Sequence, residues 1–329
     1  MSRIAIVGAG GFGTALAVHL ARTGHEVGLY ARRRELCDEL CAARENRVYL
    51  PGVALPGAVQ ATAALDEALS GAEAALLAVP SQHLRAMAEA LAGTGVPRLV
   101  VDTAKGLELA TLRRMSEVLL AYGIDAVALS GPSHAEEVGR GQPTAVVVAH
   151  PDQAKRAAAQ ELLHGGGLRV YSSGDRVGVE LGGALKNVLA LASGVSEGLG
   201  LGDNLRAALL TRGLAEITRL GVSCGAQAAT FAGLAGLGDL LATVMSPYSR
   251  NRRAGIALGR GARLDDVLQA SPMVVEGVPS TRAALDLARR EGQDLPIAAA
   301  LARLMFDAAD PRQEIELLLS RAFREEDRW

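Results

Sequence analysis

Arg3-Ile4-Ala5-Ile6-Val7 is an apolar run of strand length, and it leads straight into Gly8-Ala9-Gly10-Gly11-Phe12-Gly13, after which an amphipathic stretch runs from Thr14 to Thr23. The spacing is G-x-G-x-x-G, set between a strand and a helix. In that setting Gly8 allows the tight turn, Gly10 lets a pyrophosphate approach the backbone, and Gly13 lets the helix pack closely on the strand. The helix N-terminus adds unpaired amides that suit an anion. These residues predict a dinucleotide-binding strand, turn and helix, against the alternative of a Gly-rich turn with no ligand.

Outward from this unit the alternation continues. Glu26 to Ala31 reads as the next strand and Arg34 to Asn46 as the next helix, with further β-like runs at Ala74 to Val79, Leu99 to Asp102, Ala126 to Leu129, Ala145 to Ala149 and Leu168 to Ser172. Strands separated by helices predict an α/β fold that begins with a Rossmann-like, doubly wound, mainly parallel sheet wrapped by helices on both faces. After about residue 175 helical periodicity with Gly punctuation persists and no convincing strand follows, so an all-α C-terminal domain is expected. Ser172-Ser173-Gly174-Asp175 reads as a turn into a capped helix. The boundary is therefore placed after Gly174, with 1–174 as the dinucleotide-binding domain and 175–329 as the helical substrate-binding and catalytic domain.

Composition narrows the function classes. A chain of 329 residues with 49% apolar content can bury a large core, and its formal net charge of −2 leaves no electrostatic footprint for nucleic acid. No segment has the roughly twenty uninterrupted apolar residues of a membrane helix, and the N-terminus enters a strand at once, with no basic region and apolar signal core. A cytoplasmic protein without a membrane span is expected. Cys37, Cys41 and Cys224 form no disulfide framework. Cys37 and Cys41 are one helical turn apart but have no companion pair at ligand spacing, so no metal is expected.

Cofactor choice is read at the end of the second strand, where Tyr30-Ala31-Arg32-Arg33-Arg34 carries no carboxylate for a ribose diol. Guanidinium groups suit a 2′-phosphate, which they bind through paired, charge-assisted hydrogen bonds. Arg at a helix N-terminus also opposes the macrodipole, which argues against a merely solvated basic start. NADPH is favoured, with NADH possible.

Polar groups in the middle of the chain suggest a site. Gly182-Gly183-Ala184-Leu185-Lys186-Asn187-Val188 sets one Lys and its Asn neighbour among small residues. On a helix, Gly182 and Ala190 lie one turn either side of Lys186, which predicts a nearly bare face that a ligand can approach. Glu180 and Glu197 are not at pairing distance along the helix, so this ammonium needs an anion from elsewhere or loses its proton. Asp102-Thr103-Ala104-Lys105-Gly106 follows a strand, where ligands of open α/β sheets gather, and makes Lys105 a candidate site cation. Ser130-Gly131-Pro132-Ser133-His134-Ala135 also follows a strand and offers amides and a hydroxyl; His134 reads as a solvated or capping residue. Gly236-Leu237-Gly238-Asp239-Leu240 precedes Ser249-Arg250-Asn251-Arg252, where a starting helix would gather Ser, Arg, Asn and free amides as a phosphate is held.

These segments, in this order and at these intervals over nearly the whole length, resemble the bacterial-type NAD(P)-dependent glycerol-3-phosphate dehydrogenases. The resemblance implies Lys186 as general acid/base, with Lys105, Gly131, Ser133, Asp239, Ser249, Arg250 and Asn251 around the substrate. It also implies cofactor contacts from Gly11, Phe12, Arg32, Arg33, Lys105, Ala135, Arg250, Val274 and Glu276. Gly11 stands where many relatives carry Ser, and consecutive Arg32 and Arg33 leave the 2′-phosphate partner open. On this reading Lys186 protonates the ketone oxygen of dihydroxyacetone phosphate, Lys105 lowers its pKa, Asn187 and Asp239 orient the ammonium and substrate hydroxyls, and Arg250 and Asn251 clamp the phosphate. A homodimer and a role in supplying glycerol phosphate for phospholipid synthesis are implied by the family. The alternatives are a related dehydrogenase of β-hydroxyacids or ketopantoate, which the phosphate cluster disfavours, and an NADPH-binding sensor, which gives Lys186, Lys105 and Asp239 no reason to coexist.

Overall fold

The computed structural model describes residues 2–270 and 274–321. Its strands are β1 (Arg3–Val7), β2 (Glu26–Tyr30), β3 (Glu45–Asn46), β4 (Leu50–Ala54), β5 (Val59–Thr62), β6 (Ala74–Leu77), β7 (Leu99–Asp102), β8 (Val127–Ser130), β9 (Thr144–Ala149) and β10 (Leu168–Ser173). Eight of them form one sheet in the order β10-β9-β8-β7-β6-β1-β2-β5. All neighbours are parallel except β8 and β9, so β9 and β10 run against the rest. The parallel part, β5-β2-β1-β6-β7-β8, has the doubly wound order, and it reverses between β1 and β6. Central β1 shows why the sequence reads as continuous apolar strand: Ile4 and Ile6 enter the core on one face, while Ala5 and Val7 enter the core on the other.

Residues 44–62 depart from expectation. The second helix ends at Ala43 rather than continuing to Asn46, because Arg44 takes a left-handed conformation (φ 52°) and its guanidinium donates to Val59 O at 2.9 Å. Beyond it the antiparallel pair β3 and β4 and the parallel strand β5 were not foreseen. Pro51, Gly52, Pro56 and Gly57 interrupt the alternation there, and these short strands take their conformation from neighbours already in place.

No strand follows Ser173 among the described residues. The helix Arg176–Gly198 is buried on nearly every face, which matches its lack of a polar stripe. Two carboxylates fix its start. Asp175 caps it by accepting from Gly178 N at 2.9 Å, and the same carboxylate accepts from Gln227 N at 2.9 Å and Thr230 Oγ1 at 2.6 Å. Glu180 accepts from Ser116 N at 2.7 Å and Ser116 Oγ at 2.8 Å, tying the helix to the segment that follows β7. Against its far half lies the helix Arg250–Gly259, so close that a Cβ on Gly194 would stand 2.2 Å from Arg252 O and one on Gly255 2.1 Å from Leu191 O. Bare backbone at both positions brings the start of the second helix beside Asn187.

The stretch Ala228–Met245 has a mean hydropathy of 1.5, enough by length and composition for a membrane helix. It is broken here into helical pieces at Ala228–Phe231, Leu234–Gly238 and Asp239–Met245, and the last carries a buried carboxylate.

Candidate active site

Lys186 lies midway along the helix Arg176–Gly198, and its partner comes from a different helix. Its Nζ donates to Asp239 Oδ1 and, at 2.6 Å, to Thr243 Oγ1. Lys105, in the loop after β7, donates to the other oxygen of the same carboxylate, Asp239 Oδ2, at 2.8 Å and to Gly131 O at 3.0 Å. Thr243 in turn donates to Asp239 O at 2.6 Å, one helical turn back. Two ammoniums thus share one carboxylate whose residue is only 2% exposed. The segment Leu234–Gly238 before it has π-helical turns, a distortion frequent at functional sites.

Burial lowers the pKa of Lys186 to about 8, with Lys105 and Arg250 adding repulsion and Asp239 opposing. Burial acts to raise Asp239, but the two lysines prevail and hold it below the usual carboxylate range. The carboxylate therefore stays ionised while Lys186 titrates near the pH at which general catalysis works well.

The bare face beside Lys186 does not serve ligand approach as expected. A Cβ on Gly182 would stand 2.8 Å from Ala235 O, and one on Gly183 2.5 Å from Ser130 Oγ. The small residues let the helix settle against the Leu234–Gly238 turn and the end of β8, which brings Asp239 and Gly131 to the site. Asn187 is a second correction. Its Oδ1 accepts from Asn251 Nδ2 at 2.9 Å, so the carboxamide turns to the neighbouring helix rather than to the ammonium.

The helix Arg250–Gly259 begins as foreseen, with Ser249 as N-cap accepting from Arg252 N at 3.2 Å. Arg250 Nη1 donates to Val274 O at 3.0 Å, and Asn251 Oδ1 accepts from Gly277 N at 2.9 Å. Arg252 points elsewhere and makes a two-pronged contact with Glu197 at 2.9 and 2.6 Å. Ser133 Oγ donates to Gly131 O at 3.0 Å, while His134 Nε2 donates to Ala242 O at 3.2 Å. The cluster therefore joins Lys105, Gly131, Asp239 and Lys186 directly. Asn187, Asn251 and the 274–277 turn form an adjoining chain.

The Gly-rich turn lies beside the point where the sheet order reverses. Gly8 has φ +115°, and a Cβ there would stand 2.5 Å from Ala78 O; at Gly13 it would stand 2.0 Å from Gly8 O. At Gly10 nothing lies within 4 Å of such a Cβ. That open space sits at the N-terminus of the helix Gly11–Arg22, which has no side-chain cap, and it fits a dinucleotide phosphate. Gly11 faces Tyr49 O, which a Cβ would approach to 2.7 Å, so a Ser at this position would require the β3–β4 segment to shift. Phe12 packs on the sheet core, and Ala135 faces Gly11 across the turn. Arg32 and Arg33 are both exposed past the end of β2; Arg33 Nη2 donates to Tyr49 OH at 3.0 Å, and its guanidinium lies 5.8 Å from that ring's centre. Val274 is exposed, whereas Glu276 accepts from Ser81 Oγ at 3.3 Å. Burial raises the Glu276 carboxyl pKa against the opposing charge of Arg250.

Sequence reasoning missed Thr243, Ser81 and Tyr49. Only Thr243 had a local signal: it is four residues after Asp239, on the same helical face. Ser81 and Tyr49 reach the site through the fold alone.

Comparison with known proteins follows the same outline. The family model for the NAD-dependent glycerol-3-phosphate dehydrogenase N-terminus matches residues 3–156, and that for the C-terminus of the same family matches residues 175–316. A protein of Moorella thermoacetica named glycerol-3-phosphate dehydrogenase [NAD(P)+] is 54% identical over 306 residues, covering 92% of this chain and 91% of its own. The crystal structure of glycerol-3-phosphate dehydrogenase from Coxiella burnetii superposes with a TM-score of 0.93 at 38% identity, covering 97% of this chain and 99% of that one. A ketopantoate reductase from Ralstonia eutropha is similar in fold alone, with a TM-score of 0.60 at 19% identity over 93% of this chain and 99% of that one.

Proposed function

The chain belongs to the NAD-dependent glycerol-3-phosphate dehydrogenase family, and from that premise we propose that it interconverts dihydroxyacetone phosphate and sn-glycerol 3-phosphate with Lys186 as the group that gives and takes the alcohol proton. The observation that carries this assignment is the pair of ammoniums on the buried Asp239 carboxylate, with Lys186 lowered to about 8. At neutral pH Lys186 is largely an ammonium and donates its proton to the ketone oxygen. In the reverse direction the neutral amine takes that proton from the secondary alcohol. A donor that titrates near the working pH serves both directions.

Asp239 and Thr243 together keep the amine in place, so little reorganisation is needed when the proton moves. Lys105, held by Gly131 O and Asp239, faces the substrate hydroxyls together with the Gly131 and Ser133 turn. Arg250 and the amides that follow Ser249 receive the phosphate, as a helix N-terminus with a guanidinium suits a dianion. Gly8, Gly10, Gly11, Phe12 and Gly13 hold the dinucleotide, with Ala135, Val274 and Glu276 along it. Arg32 and Arg33 support NADPH over NADH because no acid occupies the end of β2. When bound, the nicotinamide supplies the hydride for the ketone carbon.

Residues 1–174 act as the dinucleotide-binding domain and 175–329 as the substrate-binding and catalytic domain. The protein works in the cytoplasm as a homodimer and supplies glycerol phosphate for phospholipid synthesis. The test follows NADPH absorbance with dihydroxyacetone phosphate and, separately, with ketopantoate. Consumption is expected with the phosphate ester alone, and Lys186→Ala should lower turnover by roughly a hundredfold or more. Turnover of ketopantoate in place of the phosphate ester, or a Lys186→Ala enzyme as fast as the wild type, overturns the assignment.

A further inference from the structure

We propose that Asn251 is a positioning residue for the cofactor side of the site as well as a neighbour of the substrate phosphate. Its two polar atoms are already committed. Nδ2 donates to Asn187 Oδ1 at 2.9 Å, and Oδ1 accepts from Gly277 N at 2.9 Å. The second contact is a helix cap supplied from another helix. Gly277 opens the helix Gly277–Glu291, and Glu276, in the N-cap position, offers no side-chain cap of its own. The first amides of a helix lack internal partners, and a buried one must find an acceptor elsewhere. Asn251, 8% exposed, provides it.

Packing confines this acceptor to one place. A Cβ on Gly277 would stand 2.8 Å from Asn187 O and 3.1 Å from Asn251 Oδ1, so the turn is pressed against both asparagines. Asn187 follows Lys186 in the chain, and Glu276 precedes Gly277. The carboxamide of Asn251 thus joins the helix of the proton donor to the turn that carries Glu276 and the Val274 carbonyl. Arg250, its neighbour in the same first helical turn, holds that carbonyl at 3.0 Å. A change at Asn251 therefore reaches the nucleotide even when no substrate is present.

This inference rests on the functional reading above, in which Glu276 and Val274 lie along the dinucleotide. A residue that only touches phosphate leaves the affinity of the free enzyme for NADPH unchanged. A residue that fixes the Glu276 turn does not. The experiment titrates NADPH into wild-type, Asn251→Ala and Asn251→Asp enzymes without substrate, by nicotinamide fluorescence, and then measures kcat and KM for dihydroxyacetone phosphate. In Asn251→Ala the NADPH Kd should rise roughly fivefold or more, as one lost buried hydrogen bond implies. Asn251→Asp keeps an acceptor for Gly277 N and should hold the NADPH Kd within about twofold of wild type. It loses the donor to Asn187 and sets a negative charge beside the phosphate, so its KM should rise by roughly tenfold or more. An unchanged NADPH Kd in Asn251→Ala overturns the inference, and so does an equal loss of NADPH affinity in the Ala and Asp variants. Wild-type enzyme that fails to bind NADPH or to reduce the ketone would overturn the functional reading instead.

Discussion

Replacing Lys105 with Met removes one of the two ammoniums on Asp239 and leaves the other in place. Lys186 is lowered to about 8 by burial first, by the charges of Lys105 and Arg250 next, and against the pull of Asp239. Taking Lys105 away lifts one repulsion and frees the shared carboxylate, which Lys105 contacts at 2.8 Å, to act on Lys186 alone. Both changes favour the charged form, so the pKa of Lys186 must rise. Two like charges 4 Å apart repel by about 4 kcal/mol at an effective dielectric near 20. At about 1.4 kcal/mol per pH unit, roughly three units is a ceiling. The Lys105 side chain is 20% exposed, and solvent screening brings the expected shift to about one unit. The assay is the pH profile of kcat for oxidation of glycerol 3-phosphate, which on the proposed role of Lys186 needs the neutral amine and rises with pH through this pKa. In Lys105→Met the rising limb should move about one unit to higher pH, whatever the loss in absolute rate. In Lys105→Arg, which keeps the charge, it should stay where it is. A limb that stays put or moves down in Lys105→Met would refute the coupling through Asp239.

Arg32 and Arg33 changed together to Ala should raise KM for NADPH by roughly tenfold or more while leaving that for NADH within about twofold, because only the first cofactor carries the 2′-phosphate; equal losses would reduce both to surface charges. A different carboxyl controls stability against pH. Glu216 is buried, and burial raises it from 4.5 to about 8 despite the hydrogen bond from Ile297 N and the charge of Arg219. The folded state then holds a proton that the unfolded chain releases, so the stability this group supports is complete below about pH 4.5 and lost as pH rises through 8. Glu216→Gln, which keeps an acceptor for Ile297 N, should match the wild type in acid and exceed it above pH 8 by about 1–3 kcal/mol in urea unfolding. A wild type as stable as the variant at pH 9 would show that this carboxyl ionises freely. Gly13→Ala should lower the melting temperature and NADPH affinity together, since the added carbon would meet Gly8 O at 2.0 Å; retention of both would mean that the turn yields easily.

Local sequence alone determined the strand, Gly-rich turn and helix, the parallel sheet that continues from them, and the helical character of the chain past residue 175. Those features depend on short-range sterics and on periodicity within a few residues. It also singled out Lys105, Asp239, Lys186 and the Ser249-Arg250-Asn251 turn, since polar groups at strand ends and helix starts are visible one segment at a time. Tertiary structure decided everything that depends on distance along the chain. Lys186 and Asp239 are 53 residues apart, and Lys105 and Asp239 are 134 apart, so neither ion pair has a local signal. The bare face at Gly182 suits a ligand or a neighbouring backbone equally well, and only packing against Ala235 chose the second. β5 and the turn of Asn187 toward Asn251 were fixed in the same way, by neighbours that become adjacent only on folding. The physical reason is that torsional preference and hydrophobic period are properties of a segment, whereas burial, charge sharing and the lowered pKa of Lys186 arise from surroundings that several segments build together.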